Sequence, residues 1–102
     1  MPATLARGLL VVVSGELAGS RIEIGAQPVT VGQGTATLQI ADDPAVSTRH
    51  AEFARRGTRF VVTDLGSTNG TFVNSQRIAQ PTRLNDGDLV RCGNTQMKFR
   101  IE

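Results

Sequence analysis

The sequence predicts an all-β domain, built as a sandwich or a barrel. Short runs rich in Val, Ile, Thr and Phe recur at intervals of about eight to twelve residues, and Gly, Asn, Asp and Pro separate them. Signals for helices are nearly absent. With 102 residues, the chain has the size of one domain that buries a single core.

The strand pattern can be followed from one end of the chain to the other. Gly8 to Ser14 is an apolar run, and Arg21 to Ile24 alternates polar and apolar residues with the period of a half-buried strand, so the two predict an opening hairpin. The tight corner Arg56-Gly57-Thr58 joins two central strands, and Asn85-Asp86-Gly87 is a later turn. After the opening hairpin, the predicted strands are Val29 to Gly32, Leu38 to Ile40, His50 to Arg56, Arg59 to Asp64, Thr71 to Val73, Arg77 to Ile78, Leu89 to Cys92 and Gln96 to Ile101.

Composition argues against several classes of function. The single cysteine and the single histidine argue against an internal disulfide and a structural zinc site, so we expect no metal and no cofactor. No apolar run is long enough to span a membrane. The net charge of +2 is spread along the chain, and the sequence has no Trp or Tyr. The aromatic residues lie in strand-like runs, which predicts core packing and no nucleic-acid partner; they are Phe53, Phe60, Phe72 and Phe99.

Three polar stretches follow or separate predicted strands. They are Val31-Gly32-Gln33-Gly34-Thr35, Val46-Ser47-Thr48-Arg49-His50-Ala51-Glu52-Phe53 and Thr63-Asp64-Leu65-Gly66-Ser67-Thr68-Asn69-Gly70-Thr71-Phe72-Val73-Asn74. Hydroxyls, amides and a guanidinium converging on one point would suit a phosphorylated ligand, which carries close to two negative charges and three acceptor oxygens. The glycines of the first stretch lack the lysine and the following helix of a nucleotide-binding loop, so we exclude that function.

In this order and spacing, the stretches resemble the forkhead-associated (FHA) domain, whose pattern is Gly-Arg, Ser-x-x-His and Thr-Asn-Gly. The resemblance covers about Val29 to Ile101 and includes Leu84-Asn85-Asp86-Gly87-Asp88. It implies a two-sheet β-sandwich of about eleven strands, of the SMAD/FHA type, over residues 8–102. We expect residues 1–7 to be a disordered terminus or a linker.

The resemblance also implies a phosphopeptide site at one end of the sandwich. Its implied ligand residues are Gln33, Ser47, Thr48, Arg49, Thr68 and Asn69, and its implied structural supports are Gly32, His50 and Gly70. In this interpretation Ser47 donates to a phosphate oxygen, Arg49 adds positive charge at the rim, and Asn69 grips the main chain of the peptide. His50 has no acid or nucleophile partner in the pattern, so a catalytic role is not expected.

Two positions depart from the family pattern. Gln33 stands where the family has an arginine that meets the phosphate, and Thr48 stands where an arginine commonly follows the serine, with Arg49 one position later. Glutamine brings no charge, which would remove about 1.5 to 3 kcal/mol of a charge-assisted contact. We therefore expect weaker phosphate affinity.

The predicted function is that of a phosphothreonine-dependent binding module in Ser/Thr-kinase signalling, and not that of an enzyme. We expect a cytoplasmic location, a bacterial source and a place within a larger protein. A degenerate module that binds an unphosphorylated partner or associates with itself is the main alternative, because loss of the arginine would permit it. A nucleic-acid-binding β-barrel is the third hypothesis, although it would require a basic groove with exposed aromatics.

Overall fold

A computed structural model describes residues 7–102, and over this range the chain is a β-sandwich with no helix, hence none that could span a membrane. The strands, in chain order, are β1 (Gly8–Val12), β2 (Arg21–Ile24), β3 (Val29–Gly32), β4 (Leu38–Gln39), β5 (Ala51–Arg56), β6 (Arg59–Asp64), β7 (Thr71–Val73), β8 (Gln76–Arg77), β9 (Thr82–Leu84), β10 (Leu89–Cys92) and β11 (Thr95–Ile101). The all-β class and the eleven-stranded sandwich are confirmed. The expectation of a disordered terminus falls mostly on residues 1–6, outside the described residues, whereas Arg7 exchanges two backbone hydrogen bonds with Glu102.

The strands form two sheets. One has six strands in the order β2-β1-β11-β10-β7-β8, and the other has five in the order β4-β3-β5-β6-β9. Every neighbouring pair is antiparallel except β3 and β4, which run parallel. The predicted opening hairpin is present as β1–β2, and β5 and β6 pair along their full length on either side of the predicted corner.

The core lies between the sheets. Phe60 of the five-stranded sheet contacts Phe99 of the six-stranded sheet, with ring centroids 5.4 Å apart, so aromatic packing joins the two layers. Phe53 is fully buried, as predicted. Phe72 is an exception, because it lies half-buried on the outer face of its sheet beneath the guanidinium of Arg91, 4.1 Å from the ring centroid.

One strand was not predicted. Strand β9 follows Pro81 at the edge of the five-stranded sheet, and only its last residue, Leu84, is buried. A three-residue segment with one inward side chain shows no alternation that a sequence pattern can detect. Its partner β6 holds it in place through the pairs Phe60–Leu84 and Val62–Thr82.

Candidate ligand-binding cleft

Three loops meet at one end of the sandwich because they leave neighbouring strands of one sheet. Val31 pairs with Ala51, and Ala51 pairs with Asp64, so β3, β5 and β6 share one row of partners at this end. The loop after β3, the segment before β5 and the loop after β6 therefore begin side by side. This arrangement brings the three polar stretches of the sequence together.

Backbone contacts join the first two loops. The N–H of Gln33 donates to the Ser47 carbonyl at 2.9 Å, and the N–H of Gly34 donates to the Thr48 carbonyl at 3.2 Å. The approach is so close that a Cβ on Gly32 would overlap the Thr48 carbonyl oxygen and come within 2.9 Å of its carbon. Only glycine fits at position 32 without a shift of the backbone.

His50 connects the second loop to the third. Its ring is fully buried, the Ser47 N–H donates to Nδ1 at 3.1 Å, and Nε2 lies 2.9 Å from the Gly70 carbonyl oxygen. A backbone N–H can only donate, so Nδ1 is the acceptor and Nε2 carries the hydrogen that Gly70 accepts. The ring thus acts as a spacer between the loops. Gly70 itself has φ of 89°, a left-handed conformation that favours glycine.

Asp64 organises the third loop, a role that we did not predict. Its carboxylate accepts hydrogen bonds from the backbone N–H groups of Gly66 and Ser67 and from the hydroxyls of Ser67 and Thr71. Burial acts to raise the pKa of Asp64, but the hydrogen bonds from Ser67 and Thr71 outweigh it and hold the pKa below its usual value of 3.8. The segment Asp64-Leu65-Gly66-Ser67 could have indicated this role. An Asp at the start of such a loop is typical of turns in which its side chain accepts a hydrogen bond from the backbone two residues later.

Asp43 has a similar role in the loop before β5. It is buried and accepts from the N–H groups of Ala45 and Asn94 and from the Thr95 hydroxyl. Burial alone would raise the pKa of Asp43, and these hydrogen bonds lower it instead. The Asp43 carbonyl oxygen also accepts from Nε2 of Gln33 at 3.0 Å, so this loop holds the glutamine side chain.

A cleft of about 370 Å³ opens where the loops meet. Its walls combine small apolar residues with five of the six predicted ligand residues, and the full lining is Gln33, Pro44, Ala45, Val46, Ser47, Thr48, Thr68 and Asn69. The Ser47 Oγ accepts from the Thr68 N–H at 3.0 Å, so its own hydrogen is free to donate to a ligand. The N–H groups of Thr48, Arg49 and Asn69 have no acceptor within residues 7–102.

The cleft wall contains no cationic side chain. Arg49 is exposed and does not line the cleft, in contrast to the other predicted ligand residues, and it makes no ion pair or side-chain hydrogen bond with residues 7–102. Gln33 does line it. The cleft thus offers neutral donors from hydroxyl, amide and backbone groups.

Asn69 lies at the rim of the cleft with an exposed side chain. Its Nδ2 donates to the Ala45 carbonyl at 2.9 Å, which ties the third loop to the second. The second amide hydrogen and the Oδ1 atom have no partner in the described part of the chain. A donor and an acceptor side by side match the hydrogen-bonding pattern of a peptide main chain.

Comparison with known proteins identifies the family. The FHA domain matches residues 29–93, which is more than half of the chain. The chain belongs to the FHA domain family. FHA domains are modules that bind phosphothreonine.

Relatives and solved structures agree with this assignment. The FHA domain-containing protein FhaB of Mycolicibacterium smegmatis is 41% identical over 91 residues, covering 89% of this chain and 59% of that protein. The chain thus spans about three fifths of the length of this relative. A structure from an analysis of phosphothreonine-dependent FHA domain interactions superposes with a TM-score of 0.84 at 31% identity, covering 94% of this chain and 97% of that one. Mycobacterium tuberculosis EmbR in complex with a low affinity phosphopeptide superposes with a TM-score of 0.83 at 29% identity, covering 94% of this chain and 24% of that one.

Proposed function

We propose that this FHA domain binds a phosphothreonine-containing segment of a partner protein in a Ser/Thr-kinase pathway. The observation that carries the proposal is the convergence of Gln33, Ser47, Thr48, Thr68 and Asn69, from three separate loops, on one cleft. Of the two similar solved structures, one comes from an analysis of phosphothreonine-dependent FHA domain interactions, and the other contains a phosphopeptide. The cytoplasm remains the predicted location.

In this proposal the phosphate is held by neutral donors. The Ser47 hydroxyl and the free N–H groups of Thr48 and Arg49 supply hydrogen bonds, while Asn69 pairs with the peptide main chain. Because hydrogen bonds tie these loops together before any ligand binds, little ordering entropy is lost on binding. Without a cation in the wall, affinity is low compared with a site that contains an arginine.

The decisive experiment compares two peptides that differ only in phosphorylation. Calorimetry with a phosphothreonine peptide and its threonine counterpart, drawn from a library randomised on both sides of the threonine, measures phosphate dependence directly. Tighter binding of the phosphorylated member supports the proposal. Equal affinity for both members would exclude it.

The lack of a cation in the cleft also favours a second candidate. A cleft with neutral donors suits an unphosphorylated protein segment or a second copy of this chain. Such a ligand avoids the free-energy cost of removing a doubly charged phosphate from water without a cation beside it. Sedimentation of the chain over a range of concentrations tests self-association. A monomer at all concentrations, together with phosphate-dependent binding, would remove this candidate.

Replacing Gln33 with arginine is expected to strengthen phosphopeptide binding by about 10-fold to 150-fold, because a neutral donor becomes a charge-assisted one. Gln33 lines the cleft, so the new guanidinium would stand beside the phosphate. Calorimetry with the same peptide checks this prediction. The matched control is Gln27→Arg, which adds the same charge at an exposed position outside the cleft and should change affinity little. No gain from the Gln33 variant would mean that this side chain does not meet the phosphate.

Replacing Asn69 with alanine is expected to weaken peptide binding about tenfold or more, since the contacts to the peptide main chain are lost. The folded state loses one exposed hydrogen bond, to Ala45, so the free energy of unfolding should fall by less than about 1 kcal/mol. Calorimetry and urea unfolding measure the two effects. Asn85→Ala, at an exposed turn away from the cleft, is the control. A large loss of stability in the Asn69 variant would instead assign this residue a structural role.

A further inference from the structure

Three arginines project from the outer face of the five-stranded sheet. Phe60 and Leu84 point into the core, so the residues that alternate with them, Arg59 on β6 and Arg83 on β9, point outwards. Arg56, at the end of β5, is exposed on the same face. We call Arg56, Arg59 and Arg83 the arginine cluster.

The strand register brings these side chains together. Arg56 is the direct cross-strand partner of Arg59, which places their Cβ atoms about 5 Å apart. Arg83 pairs with Val61, two residues along β6 from Arg59, so it is a diagonal neighbour at about 7 to 8 Å. The neighbouring outward positions on β5 and β6 are occupied by the short side chains of Ala54 and Val61.

No acidic side chain within residues 7–102 forms an ion pair with the arginine cluster. The ion pairs of this range involve Arg7, Arg21 and Arg100, on other parts of the surface, and no member of the cluster makes a side-chain hydrogen bond. Like charges directly opposite each other destabilise a sheet. Charged side chains often protect an edge strand from pairing, but β5 and β6 are interior strands, so edge protection does not explain Arg56 and Arg59.

We infer that the arginine cluster binds an acidic segment of a protein, through guanidinium–carboxylate contacts. Arginine forms paired hydrogen bonds with carboxylates, and three guanidinium groups on one face of a sheet suit two or three acidic side chains of an extended segment. Three charges are fewer than the six to ten phosphate contacts typical of nucleic-acid binding and the four to eight basic residues typical of lipid binding. No aromatic residue accompanies the cluster in its three strands apart from the buried Phe53 and Phe60, so bases have no surface on which to stack.

This surface is separate from the proposed phosphothreonine site. The site lies where β5 begins and β6 ends, whereas Arg56 and Arg59 lie at the opposite ends of these strands. Strand β5 runs from Ala51 to Arg56, and its five residue-to-residue steps place the two ends about 17 Å apart. Both surfaces are therefore open to ligands at the same time, and a partner that contacts both would bind with greater avidity.

The test is a titration of the ¹⁵N-labelled chain with a deca-glutamate peptide, followed by NMR. We expect saturable shifts at Arg56, Arg59 and Arg83, and at least about a fivefold weaker affinity for the Arg59→Glu variant. The control Lys98→Glu makes the same charge change on the outer face of the other sheet and should leave affinity within about twofold. A ten-nucleotide single-stranded DNA and vesicles containing phosphatidylserine are the competing probes.

Stability gives a second readout. Arg59→Glu replaces two opposed like charges by an opposite pair with Arg56, so its melting temperature should rise while deca-glutamate binding falls. A fall in both quantities would assign Arg59 a structural role and overturn the inference. Three other results would also overturn the inference. The first is an equal loss of deca-glutamate affinity in Lys98→Glu, and the second is NMR shifts confined to the phosphothreonine site. The third is tighter binding of the DNA or the vesicles than of deca-glutamate.

Discussion

Replacing Asp64 with alanine is expected to lower the free energy of unfolding by about 3 kcal/mol, because four donors lose one charged acceptor. The carboxylate accepts from two backbone N–H groups and from the hydroxyls of Ser67 and Thr71, and the Ser67 Oγ in turn accepts from the Gly70 N–H. Loss of this network would release the loop that carries Asn69, so peptide binding should fall together with stability. Urea unfolding and calorimetry measure the two losses.

Two further variants make the Asp64 prediction specific. Asp42→Ala removes an exposed carboxylate whose one hydrogen bond within residues 7–102 comes from the backbone N–H of Glu16 at 3.5 Å, and it should change stability by less than about 0.5 kcal/mol. Asp64→Asn keeps one acceptor oxygen and should lie between the wild type and the alanine variant. If Asp64→Ala were as stable as Asp42→Ala, the hydrogen-bond network would have no energetic role.

The pH dependence of stability checks the same carboxylate. Since the folded-state pKa of Asp64 is held below its usual value of 3.8, the stability it contributes is complete above that value. This contribution is lost as the pH falls through the folded-state pKa. The wild type should therefore lose stability more steeply below about pH 4 than Asp64→Asn does. Parallel acid-unfolding curves for the two proteins would contradict this assignment.

Replacing Gly32 with alanine is expected to lower the free energy of unfolding by about 1 to 3 kcal/mol, because the added methyl group meets rigid backbone. The obstacle is the carbonyl group of Thr48, and the Cα of Arg49 lies 3.3 Å from the ideal Cβ position. Any shift that relieves this overlap moves the loop of Ser47 and Thr48 away from Gln33 and opens the cleft. Thermal unfolding and phosphopeptide calorimetry should both show a loss.

The control for Gly32 is another glycine of the same chain. At Gly25 an added Cβ meets nothing within 4 Å and the backbone is not left-handed, so Gly25→Ala should be neutral or slightly stabilising. The difference in stability between Gly32→Ala and Gly25→Ala separates the effect of the close contact between two loops from the general effect of removing a glycine. Equal effects at both positions would show that the contact between Gly32 and Thr48 does not limit the loop.

Some properties of this protein could be predicted because they depend on residues close together in the chain. Period-two alternation and turn residues predicted ten of the eleven strands, and the ends of β2, β3, β6, β7 and β10 agree with the structure to the residue. The Ser-x-x-His and Thr-Asn-Gly patterns indicated the family, whose membership is now established. Strand β9 was missed because its position depends on pairing with β6, not on its own three residues.

Other properties depend on contacts between distant residues, and only the tertiary structure decided them. Asp64 and Arg49 both lie in stretches that were singled out, yet the structure makes Asp64 the centre of a loop and leaves Arg49 outside the cleft wall. The arginine cluster exists because β5, β6 and β9 are in register, although Arg56 and Arg83 are far apart in sequence. Local patterns report the conformation of neighbouring residues, whereas charge balance and ligand geometry arise when separate strands are packed side by side.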